Sequence, residues 1–97
     1  MNYLYNTRSI TYMQHIKNKN VKLVGKRIKE LRKKMGLSIN AIAMKYGGIS
    51  VATWCRIENG QFNDIDFSKL IAISKALEIK VDELLRNIDL DYTILEQ

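Results

Sequence analysis

Apolar positions recur at helical spacing along most of this chain, and the pattern is broken at glycines and at short oxygen-bearing side chains. Val24, Ile28, Leu31 and Met35 lie three or four residues apart, which predicts a helix from about Lys22 to Met35, stopped by Gly36. Ser38 then stands where its hydroxyl can accept from the free amides of a second helix, on which Ile39, Ile42, Ala43 and Tyr46 recur. Gly47-Gly48 break that helix, and Ser50 is placed to cap a third whose Trp54 and Ile57 face inward. Asp66 is placed to cap a fourth helix, with Phe67, Leu70, Ile73, Ser74 and Leu77 on one face. A short fifth helix from about Val81 to Arg86 adds Leu84 and Leu85 to the core. The predicted class is all-α.

At both ends the period shortens to two. Ile88, Leu90, Tyr92 and Ile94 alternate with Asp89, Asp91 and Thr93, the pattern of a half-buried strand. Near the N-terminus Ile10, Tyr12 and Ile16 share one side of an extended chain, which fits a strand or a flexible arm. An isolated strand leaves its amides and carbonyls without partners. The C-terminal segment therefore calls for the Ser9–Ile16 stretch, the same tail of a second subunit, or both; the alternative is a frayed end. The resulting organisation is an N-terminal arm over 1–20, a helical domain over 21–86, and a tail over 87–97. Ile88, Leu90, Tyr92 and Ile94 are the expected dimerisation residues.

Two short helices joined by a tight glycine turn, Ser38 to Gly60, form a shape suited to reading DNA. Ala43 is small enough to let them approach. Charge supports that reading through its distribution more than its total of +6. Residues 17–36 carry nine basic side chains against Glu30 alone, whereas residues 58–97 carry four basic and nine acidic ones. A basic first half suits a polyphosphate partner; the alternative is a solvated basic helix.

The segment from Val24 to Leu85 resembles the phage-repressor-like helix-turn-helix family, the Xre or Cro/C1 type. Several elements agree in order: an arginine-bearing first helix, Gly36-Leu37-Ser38, Ile42-Ala43, Arg56-Ile57-Glu58-Asn59-Gly60, Lys75-Ala76-Leu77 and Asp82-Glu83-Leu84. The resemblance implies a five-helix, lambda-repressor-like DNA-binding domain, here with short terminal β-strands in addition. It also implies that Arg32 of the first helix pairs with Glu58, pinning the reading helix in place. The chain departs from the family pattern in four ways. It has one extra residue in the turn, Gly47 or Gly48, and a slightly long loop over Gln61 to Ile65. It also has Ile39 where members commonly carry a phosphate-gripping Gln, and Trp54 where a smaller aliphatic is usual.

A helix lying in the major groove brings the side chains near its start closest to base edges. By the resemblance, Ser50, Val51, Ala52, Cys55 and Arg56 project toward DNA. Val51 and Ala52 suit thymine methyls, and Arg56 can donate to guanine or clamp a phosphate. Phosphate contacts are expected from Ser38 and Asn40 at the start of the second helix, and from Lys45, Asn59 and Gln61. Lys26, Arg27, Lys33 and Lys34 are further basic candidates.

Other chemistry finds little footing. Cys55 and His15 have no third ligand at useful spacing, so no metal or cofactor is expected. No carboxylate pair, nucleophile–base pair or glycine-rich phosphate loop is evident, and no catalytic residue is assigned. With one domain in 97 residues, no apolar run near about 18 residues and no signal peptide, a soluble cytoplasmic protein with no membrane role is expected. The expectation is a homodimeric, sequence-specific regulator of transcription, a repressor on double-stranded DNA. The runner-up is an antitoxin or other interaction module that neutralises a partner through its terminal segments. A toxin or an anti-repressor would be the protein partner.

Overall fold

The computed structural model describes residues 15–17 and 19–89. In chain order these form β1 (His15–Lys17), α1 (Lys19–Lys34), α2 (Ile39–Tyr46), α3 (Val51–Glu58), β2 (Asp64–Asp66), α4 (Phe67–Leu77) and α5 (Val81–Leu85). The five predicted helices are all present. α1 begins three residues before the predicted Lys22 because Val21 is buried and continues the stripe of Val24 and Ile28 by one more turn.

Three of the helices start on the residues expected to cap them. Ser38 Oγ accepts from the Ala41 amide at 3.0 Å, Ser50 Oγ from Thr53 at 3.1 Å, and Asp66 Oδ1 from Lys69 at 2.9 Å. Each such bond satisfies an amide that has no partner within its helix, typically worth about 1 kcal/mol. α2 ends on Gly47, whose φ of 81° lies in the left-handed region and turns the chain toward α3.

The core gathers Ile28 of α1, Ile42 of α2, Trp54 and Ile57 of α3, Leu70 and Ile73 of α4 and Leu84 of α5, all essentially without solvent contact. α1 packs on α3 and α5, while α2 packs on α3 and α4. Two aromatic residues depart from the helical pattern. Tyr46 is 46% exposed and lies under Lys75 Nζ, 5.6 Å from the ring centroid, and Phe67 is 39% exposed. Each sits at an end of its helix, where the stripe runs out over the edge of the core.

The N-terminal segment finds a strand partner inside the domain. The expected pairing of the C-terminal tail falls on residues outside those described, whereas among the described residues β1 pairs with β2, in the loop noted as slightly long. The pairing is antiparallel, with His15 opposite Asp66, Ile16 opposite Ile65, and Lys17 opposite Asp64. Ile16 and Ile65 are fully buried, so the ladder satisfies backbone groups while delivering two side chains to the core. Ile16 therefore belongs to the domain and not to a separate arm.

At the other end, Asn87 takes a left-handed conformation with φ of 63°, and Ile88 folds back against the core outside any strand. Ile88 is thus an intramolecular packing residue in this structure. The other three expected dimerisation residues, Leu90, Tyr92 and Ile94, lie outside the described residues.

Candidate nucleic-acid interface

α3 has two distinct faces. Trp54, Ile57 and Glu58 are buried, whereas Val51, Ala52, Arg56 and the following Asn59 are exposed and Thr53 and Cys55 are half-buried. Its leading edge therefore points outward while its rear is held.

Two features hold the rear. The first is steric: a Cβ at Gly25 of α1 would lie 2.3 Å from the Ile57 carbonyl oxygen and 3.1 Å from that of Glu58. Only glycine lets α1 approach the end of α3 so closely, which outweighs the roughly 1 kcal/mol that glycine costs in a helix relative to alanine.

The second is electrostatic. Arg32 Nε donates to Glu58 Oε2 at 2.6 Å and Arg32 Nη2 to Glu58 Oε1 at 2.9 Å, a two-pronged pair. The Trp54 indole N–H donates to the same Oε2 at 2.6 Å, and Arg32 Nη1 donates to the Leu37 carbonyl at 2.8 Å. The side chains are 9% and 2% exposed, so the charges are shielded from water and compensated by one another. The hydrogen bond to Glu58 is the main reason the Arg32 pKa is raised further above its ordinary value, with burial opposing it. One guanidinium thus joins α1, the α1–α2 turn and α3.

On the outward side, the candidate residues fall into three groups. Val51, Ala52 and Arg56 lie on the exposed edge of α3 with no hydrogen-bond partner for their side chains among the described residues. The Arg56 guanidinium stacks on the Phe62 ring, 4.4 Å from its centroid. Ser38, Asn40, Asn59 and Gln61 are exposed at the start of α2 and just beyond α3, and Gln61 is tied back by its amide to the Arg56 carbonyl at 2.9 Å.

The third group is occupied within the molecule. Ser50 Oγ, besides capping α3, donates to Thr53 Oγ1 at 3.0 Å. Asn59 Nδ2 reaches Cys55 Sγ at 3.5 Å. Lys45 Nζ binds the Ala76 carbonyl at 3.1 Å and Glu78 Oε2 at 2.7 Å, which directs its charge to the end of α4.

Sequence reasoning missed three contributors. Gly25 carried a signal, being an isolated glycine inside a helical stripe. Phe62 carried only its place in the long loop. The Trp54 indole bond could have been suspected from the four-residue spacing to Glu58.

The helix-turn-helix domain family model matches residues 25–90, about two thirds of the chain. The chain belongs to the helix-turn-helix domain family. This helix-turn-helix protein is similar to the restriction-modification controller protein C.AhdI from Aeromonas hydrophila, with 28% identity and a TM-score of 0.63, covering 69% of this chain and 98% of the controller. No curated protein sequence matches it. Family and fold together make it a DNA-binding transcription regulator. Among the described residues no helix is long and apolar enough to cross a membrane.

Proposed function

We propose that this helix-turn-helix protein is a sequence-specific repressor of the Xre or Cro/C1 type that binds double-stranded DNA as a homodimer. The observation that carries the reading is the outward leading edge of α3 on a helix whose rear is pinned by Arg32 and Glu58. Val51 and Ala52 offer methyl groups to thymines, and the Arg56 fork suits guanine O6 and N7. The amides of Ile39 and Asn40 at the start of α2, with Asn59 and Gln61, suit the flanking phosphates.

A single reading helix covers too few base pairs to be selective. Two copies about one helical turn apart on a two-fold operator would supply the discrimination. The likeness to C.AhdI over nearly all of that chain favours a regulator of the restriction-modification controller kind.

Footprinting the protein on DNA flanking its own gene tests this reading. It calls for two protected half-sites about 10 base pairs apart, centre to centre, which Arg56→Ala weakens while the fold survives. Equal affinity for random and flanking duplex would overturn it.

A further inference from the structure

We propose that Phe62 is a positioning residue for DNA recognition: its ring holds the Arg56 guanidinium out along the leading edge of α3, ready to read a base. This inference rests on the reading of α3 given above. Three observations carry it. First, the Arg56 side chain is exposed and makes no hydrogen bond or ion pair among the described residues; its contact is the ring face, 4.4 Å away. A contact with a ring face uses none of the guanidinium's N–H groups in a hydrogen bond to another residue, so its donors remain available where a guanine would be met.

Second, Phe62 is itself held. It packs against the core, the preceding residue is bonded back to α3 through Gln61 N–H and the Arg56 carbonyl, and two residues later the chain enters β2, which is paired to β1. The loop that departs from the family pattern thus carries a fixed aromatic platform near its start. Third, an unrestrained arginine samples many rotamers and must surrender that freedom on binding. A ring that pre-orders the side chain removes part of that loss before DNA arrives.

The test is a double-mutant cycle on equilibrium binding. The probes are a fluorescent duplex selected by the wild-type protein from a random pool and an unrelated duplex of equal length. Phe62→Leu keeps an apolar side chain against the core and removes the ring. It should weaken binding to the selected duplex about two- to fivefold, the range expected of an exposed cation–π contact. In an Arg56→Ala background the same change should have no further effect, and Phe62→Trp should retain the wild-type affinity.

Undiminished binding by Phe62→Leu overturns the assignment, as does an equal loss with and without Arg56, which would make the ring a packing residue only. Should Phe62→Leu fail to fold by circular dichroism, the Phe62→Trp and Phe62→Tyr pair decides. Loss of selected-duplex affinity in both, with melting unchanged, overturns the assignment. A wild-type protein that selects no sequence at all sinks the reading of α3 itself, a separable outcome.

Discussion

Replacing Glu58 by alanine should be among the most damaging single changes available in this domain. The carboxylate receives two N–H groups from Arg32 and one from Trp54, at 2.6 to 2.9 Å, in a site where the arginine and glutamate side chains are 9% and 2% exposed. Truncation leaves a guanidinium and an indole N–H facing protein in place of an anion. Removing one partner of a buried pair costs about 3–5 kcal/mol. Against a total stability of about 5–15 kcal/mol, that is a third or more for a domain in the middle of the range.

The melting temperature should fall on the order of 12 °C or more, at roughly 4 °C or more per kcal/mol for a domain of this size. Urea unfolding can be followed by far-UV circular dichroism and by Trp54, the chain's single tryptophan. The double change Arg32→Met with Glu58→Leu should recover most of the loss, since neither charge is then stranded; the indole N–H would still lack its acceptor. A loss below about 1 kcal/mol for Glu58→Ala would place the pair with surface ion pairs and refute the argument.

Other changes test other parts of the fold. Gly25→Ala should destabilise by about 1–3 kcal/mol despite alanine's better helix propensity, because the added methyl meets the Ile57 carbonyl; a more stable variant in thermal melts would contradict the close approach. Ile16→Ala should cost about 2–5 kcal/mol in urea titrations, whereas an arm outside the core would give almost nothing. Asp66 has its pKa lowered, chiefly by the Lys69 amide and then by Ser68. Its contribution is therefore present above the ordinary aspartate pKa of about 3.9 and lost as pH falls through the depressed folded value. Asp66→Ala should cost about 1 kcal/mol at pH 7, and its melting curve should converge on the wild type in strong acid.

Three of the helices were the most legible because each carried two agreeing signals. Ser38, Ser50 and Asp66 mark starts by a local hydrogen bond, and the apolar stripes behind them are long enough to show their period. The sheet was not legible: β2 is three residues, with Ile65 alone between Asp64 and Asp66, and so short a stretch has no measurable period. Its identity depends on Ile16 arriving from far along the chain. At the candidate site, which α3 residues face outward followed from helical geometry once Trp54 and Ile57 were placed inside. What each polar side chain binds did not follow. Lys45 could have served a phosphate or a helix end, and only the position of α4 sends it to Ala76 and Glu78.

The β1–β2 clasp also bears on how the protein is made. Ile16 leaves the ribosome long before Ile65, its ladder partner 49 positions later, so the strand synthesised first waits through about half of the chain's synthesis without its partner. The three helices between the strands can assemble from nearby contacts, but this seam closes only when a distant one is reached. Exchange protection of the amides bonded across the β1–β2 ladder should accordingly be among the last to appear during refolding.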